Sequence, residues 1–132
     1  MAESSARLPQ ESRLLEAARR CLPGGTLGTY RFPDEIAFVV QRAQGSKLYD
    51  VSGREYIDYL LGSGPLVLGH AHPAAVAAIA LQLVKGTTYF LLNEPVILLA
   101  EELCRAIPCC EQVRFTSTGS EATFFALRLA RA

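Results

Sequence analysis

The chain lacks a charge surplus of either sign. Among its 132 residues, thirteen Lys and Arg balance thirteen Asp and Glu. Binding a nucleic-acid backbone calls for clustered basic side chains, and no basic run here is interleaved with aromatics, so nucleic acid is not an expected partner. Long apolar runs are missing too. No stretch approaches the roughly 20 apolar residues that cross a bilayer. The first residues, Met1-Ala-Glu-Ser-Ser-Ala-Arg-Leu-Pro-Gln10, hold no apolar segment of a secretory signal. No membrane partner is therefore expected, and a reducing cytoplasm is the expected compartment. Cysteine is sparse. Cys21, Cys104, Cys109 and Cys110 match no zinc spacing, so free, buried or half-buried thiols are expected. His70 and His72 stand two apart ahead of a helix, with no carboxylate or cysteine nearby to complete a ligand set, so no metal site is expected. Lysine occurs only as Lys47 and Lys85, both read as solvated surface residues. Internal repeats and low-complexity segments are absent as well.

What is present is a globular composition, half apolar and one fifth charged. Helical spacing predicts a helix from about Gln10 to Arg20, ended by Pro23-Gly24-Gly25. A β-meander is expected next. Its strands run from Ile36 to Gln44, Lys47 to Val51 and Arg54 to Leu60, with turns at Gly45-Ser46 and Ser52-Gly53. Pro73 suits the first turn of a helix that reaches about Lys85. Asn93 is the expected N-cap of a further helix, with Val96, Leu99, Leu103 and Ile107 as its apolar stripe. Glu101 and Arg105 are expected to pair on its other face, and Pro108 stops it.

The most informative stretch is the last. Val113 to Thr116 reads as a short buried strand, followed by a small-residue turn and an apolar helix starting near Gly119. Thr118-Gly-Ser-Glu121 fits a capping box, with Thr118 as N-cap and Glu121 folding back. The first amides of a helix have no intrahelical partner and sit at the positive end of its dipole, which suits an anion. Gly119 has no side chain, so a phosphate has room to approach its amide. The same geometry also serves a well-capped helix that binds nothing.

Thr118-Gly-Ser-Glu-Ala-Thr123, with Ala126-Leu-Arg-Leu-Ala-Arg131, resembles the cofactor-phosphate turn of class III, pyridoxal-phosphate-dependent aminotransferases. The nearest subgroup contains glutamate-1-semialdehyde aminomutase. The resemblance continues upstream, in the same order, through Pro23-Gly-Gly25, Leu48-Tyr-Asp-Val-Ser-Gly-Arg-Glu-Tyr-Ile-Asp-Tyr59, Leu68-Gly-His-Ala-His-Pro73 and Lys85-Gly-Thr-Thr88. It implies an α/β fold, the N-terminal portion of a fold-type-I transferase. Residues 1–35 would form a helix and extended arm, 36–68 a small meander, and 69–132 the helices and first strand-turn-helix of a large, mostly parallel domain. The implied cofactor is pyridoxal 5'-phosphate, held at Thr118, Gly119 and Ser120.

The same resemblance implies further roles. Ser63 matches a serine near the substrate in the aminomutase subgroup, but Gly64 stands where that subgroup has tryptophan. Loss of that aromatic wall implies a different substrate shape. A plain glycine turn explains the same residues. Thr87 and Thr88 match a segment at the dimer interface, implying a homodimer for the full-length enzyme, though an ordinary interhelix loop would look alike. The family's Schiff-base lysine lies far downstream, so no catalytic residue is expected in this chain. The implied function is transfer of an amino group between small donors and acceptors through a pyridoxamine form, or its movement within one molecule. The alternative is a truncated, non-catalytic chain acting, if at all, as an interaction module.

Overall fold

The computed structural model describes residues 6–28 and 30–132. Met1–Ser5, part of the stretch read above for a secretory signal, lie outside the described residues. The chain divides into two compact units, one up to Lys85 and one over Gly86–Ala132.

In the first unit, helix α1 spans Pro9–Cys21. Pro at its first turn has no amide to leave unpaired. Glu11 near the start and Arg19 and Arg20 near the end complement the helix dipole. The Pro23–Gly25 3-10 turn ends it, and both Gly24 and Gly25 take positive φ there, near 70°.

The meander has strands β1 (Val40–Gln44), β2 (Lys47–Asp50) and β3 (Glu55–Ile57), antiparallel in the order β1-β2-β3. Gln44 opposes Lys47 and Ala43 opposes Leu48, so Gly45-Ser46 is a two-residue hairpin turn. Gly45 has φ 56°, as such turns need. An irregularity between Val40 and Arg42 shifts the register at the far end.

The strands are shorter than the sequence pattern suggests, for local reasons. β1 starts at Val40 and not Ile36, because Ile36 and Ala37 donate their amides to Pro33 O (3.1 and 3.0 Å) and form a turn. β2 ends at Asp50, one residue early, where the amide of Gly53 turns back onto Asp50 O at 3.0 Å. β3 stops at Ile57. Asp58 Oδ1 accepts the amides of Leu60 (2.8 Å) and Leu61 (3.0 Å), which peels the chain off the sheet.

A loop then leads to α2, Pro73–Leu83, which begins at Pro73 as the sequence predicts. The loop is fastened by paired backbone bonds of 2.8 Å between Gly45 and His70. Gly69 makes that approach possible: a Cβ there would lie 2.8 Å from Gly45 O, and its φ is +77°.

The second unit holds α3 (Glu94–Ala106) and α4 (Gly119–Arg131). Asn93 caps α3 as expected, its side-chain oxygen accepting the Val96 amide at 3.2 Å. The expected Glu101–Arg105 pair is replaced by Glu102–Arg105, with Arg105 Nε 3.0 Å from Glu102 Oε2. Positions three and four apart both lie within reach on a helix surface, and here the three-residue spacing wins. Val113–Thr116 forms no strand, because no neighbouring segment among the described residues supplies ladder partners.

Among the described residues no apolar side chain is buried. Ile79 on α2 is 60% exposed, Leu99 on the apolar stripe of α3 is 49%, and Leu129 on α4 is 79%. The helices α3 and α4 do not pack on each other. Among the described residues the only fully buried side chains are carboxylates, Glu11 and Asp50.

Candidate functional site

The turn before α4 is built by its own side chains. Thr118 Oγ1 accepts the Glu121 amide at 3.1 Å, and Glu121 Oε2 accepts the amides of Ser117 (2.8 Å) and Thr118 (3.1 Å). The capping box read from the sequence is present in full. The Ala122 amide is taken by Thr118 O at 3.1 Å. These bonds use every amide around the turn except two. The amides of Gly119 and Ser120 have no hydrogen-bond partner among the described residues, and neither does the Ser120 hydroxyl.

Two free amides at successive helix positions, a serine hydroxyl and the positive end of a 13-residue helix make a compact donor set for an anion. Thr118 Oγ1 is occupied as an acceptor, but its proton is free to donate outward. A Cβ added at Gly119 would meet nothing within 4 Å, so open space lies over that amide. The residues therefore fit a phosphate. Thr123 bonds back to Gly119 O (3.1 Å) and Ser120 O (3.0 Å), which firms the first turn from behind.

Thr87 and Thr88 belong to the same unit, are exposed, and their hydroxyls make no hydrogen bond among the described residues. Ser63 and Gly64 lie in the other unit, in a tight exposed loop. The Ser63 amide bonds Leu60 O at 2.9 Å, and Ser63 itself takes φ 67°, an uncommon conformation for a residue with a Cβ.

The structure also assembles a group the sequence reading missed. Glu11 Oε1 accepts the Val39 amide at 2.9 Å, and its Oε2 takes Arg54 Nη2 at 2.9 Å and the Ser52 hydroxyl. Arg54 also grips Asp50, Nε to Oδ2 at 2.6 Å and backbone amide to Oδ1 at 2.8 Å. Tyr56 donates its hydroxyl to Asp50 at 2.8 Å and stacks on Phe38 with ring centroids 4.2 Å apart. Burial pushes the Asp50 carboxyl up, but bonds from the Arg54 amide, Tyr56 and the Arg54 guanidinium outweigh it and hold the group below its ordinary value. The available signal was an acid and an arginine, Asp50 and Arg54, facing across a turn within the Asp50-Val-Ser-Gly-Arg54 segment. Glu11 gave none beyond its place in a first helical turn.

His70 does not act with His72. Its Nε2 meets Asp58 Oδ2 at 2.7 Å, and that bond holds the Asp58 carboxyl below its ordinary value. Among the described residues no group of His, Cys, Asp and Glu is arranged to hold a metal. Lys47 pairs with Glu55 on the meander. Of the four thiols, Cys104 and Cys110 are half-buried as expected, whereas Cys21 and Cys109 are exposed.

Comparison with known proteins gives the context of this turn. The family profile described as aminotransferase class-III matches residues 30–132. A glutamate-1-semialdehyde 2,1-aminomutase from Methanosphaera stadtmanae is 43% identical over 125 residues, covering 95% of this chain and 30% of the relative. The crystal structure of an omega-transaminase from Sphaerobacter thermophilus superposes with a TM-score of 0.83 at 35% identity, over 98% of this chain and 29% of that one. A variant glutamate-1-semialdehyde aminomutase from Pseudomonas aeruginosa, in complex with PMP, gives a TM-score of 0.77 at 30% identity, over 93% of this chain and 27% of that one. The chain thus spans about 30% of the length of the curated relatives it matches. Its α/β arrangement, a small antiparallel sheet with helices, is that of the corresponding portion of these enzymes. On the match over residues 30–132, the chain belongs to the class-III aminotransferase family.

Proposed function

We propose that this chain is the phosphate-holding portion of a pyridoxal-phosphate-dependent aminotransferase or aminomutase. The observation that carries the reading is the pair of unclaimed amides at Gly119 and Ser120, left free by a capping box that satisfies their neighbours. Pyridoxal phosphate, when bound, supplies an aldehyde that takes up an amino group and a ring that draws electrons from the reacting carbon. The part of this chain is to bind and orient. Gly119 N, Ser120 N, the Ser120 hydroxyl and the outward proton of Thr118 hold the phosphate, and a fixed phosphate aligns the ring.

Ser63 and Gly64 are assigned to the substrate wall, and Thr87 and Thr88 to a homodimer interface in the cytoplasmic full-length enzyme. The substrates are small amino donors and acceptors. Glycine at position 64 removes an aromatic wall, so the substrate shape differs from that of the aminomutase subgroup. That the curated relatives carry the aminomutase name, while solved relatives include an omega-transaminase, keeps both intramolecular and intermolecular transfer within the proposal. Neither Lys47 nor Lys85 serves as the covalent anchor of the cofactor, so the 132-residue chain alone has no transfer activity.

Borohydride treatment of the chain with pyridoxal phosphate, followed by mass spectrometry, tests the lysine assignment. Stoichiometric reduced cofactor on Lys47 or Lys85 overturns it. Absorbance of the full-length enzyme across a panel of amines and semialdehydes then separates transfer from mutase chemistry.

A further inference from the structure

We infer that Cys104 and Cys110 form a redox-responsive dithiol that closes to a disulfide on exposure to hydroperoxides. The two Sγ atoms lie 3.9 Å apart, in contact but unbonded. The turn after α3 brings them together. Ile107 O accepts the Cys110 amide at 2.9 Å, with Pro108 in the turn, so the chain folds back over the last turn of the helix. Both side chains are half-buried, whereas neighbouring Cys109 is exposed. Sγ of Cys104 also lies 3.6 Å from Glu111 O and Sγ of Cys110 3.7 Å from Gln112 O, so both thiols are held over the same segment. Closing the pair takes the two Sγ atoms from 3.9 Å to a bond of about 2.05 Å.

Burial, and then the bond to Cys104, push the Cys110 thiol up, so Cys110 keeps its proton and acts second. In the first step Cys104 sulfur attacks the peroxide; the O–O bond breaks, and Cys104 becomes a sulfenic acid as one water leaves from hydrogen peroxide. In the second, Cys110 sulfur attacks Cys104 sulfur; the S–S bond forms, the S–O bond breaks, and hydroxide leaves as water with the Cys110 proton. Two thiols are oxidised by two electrons, and one peroxide is reduced to two waters. The bond fastens the end of α3 to the segment that leads toward the Thr118 turn.

The test treats the full-length enzyme with hydrogen peroxide in native buffer, alkylates the remaining thiols and maps Cys104, Cys109 and Cys110 by mass spectrometry. The expected product is a Cys104–Cys110 peptide lighter by two hydrogens, with Cys109 still alkylated and at least tenfold less Cys104–Cys109 linkage. The same treatment in denaturant should mix the pairings. Binding of a trivalent phenylarsenical gives a second reading, kept in Cys109→Ser and lost in Cys104→Ser and Cys110→Ser. Equal use of Cys109 and Cys110 in native buffer overturns the inference, as does arsenical binding that survives Cys110→Ser.

Discussion

Glu11 on α1 and Arg54 beside the meander, 43 positions apart in sequence, meet at 2.9 Å through Glu11 Oε2 and Arg54 Nη2. Glu11 is wholly buried, and so is Asp50, the other carboxylate that Arg54 holds. One guanidinium thus compensates two buried negative charges, where most small folds would place an apolar cluster. Buried acids are seldom found without such partners, because an ion stripped of water is costly unless its bonds are replaced.

Arg54→Met is therefore expected to be severely destabilising. It leaves Glu11 and Asp50 without their shared cation, and breaking a buried pair costs roughly 3–5 kcal/mol. Amide exchange at Val39, whose N–H is bonded to Glu11, should speed up with it. Unchanged exchange at Val39 would show that the network does not hold α1 to the meander.

A pH dependence follows from Asp50. Its folded pKa is lowered, so the unfolded chain takes up the proton first as pH falls. Its stabilisation is complete above the ordinary aspartate value of about 3.9 and is lost as pH drops through the lower folded value. Protection of the Arg54 amide, bonded to Asp50 Oδ1, should persist at pH 5 and weaken only on further acidification, each measured by hydrogen exchange. Loss of that protection between pH 7 and 5 would contradict the sign.

Gly119→Val should weaken cofactor binding in the full-length enzyme without unfolding it. The added side chain meets no protein atom within 4 Å at its Cβ, so what it obstructs is the approach to the amide. Loss of one charge-assisted hydrogen bond costs roughly 1.5–3 kcal/mol, or about ten- to a hundredfold in affinity. Ser120→Ala removes one hydroxyl and should do less. Fluorescence titration of folded protein measures both, and unaltered affinity in Gly119→Val removes this turn from the site.

The chain taken alone should bind hydrophobic dyes and self-associate. Exposed Ile79, Leu99, Leu127 and Leu129 lie on helices without a buried apolar face among the described residues. Soluble monomers rarely leave such faces open. A monodisperse monomer with a cooperative thermal transition, seen by light scattering and calorimetry, would refute this.

What could be read from the sequence is what is decided within a few residues. Pro73, Asn93 and Thr118 each open a helix where the sequence places it, because a cap or a fixed φ acts on amides two or three positions away. The Gly45-Ser46 turn and the Thr118–Glu121 capping box are local in the same sense, and the phosphate site proposed at α4 depends on the capping box.

Only the tertiary structure decided the contacts that join distant segments. The pairing of Glu11 with Arg54 and the seating of His70 on Gly45 and Asp58 depend on which backbone and carboxylate groups are brought together. Val113–Thr116 makes the point most plainly. Its residues suit a strand, yet a strand exists only where a neighbour offers the matching N–H and C=O groups, and sequence pattern cannot supply that neighbour.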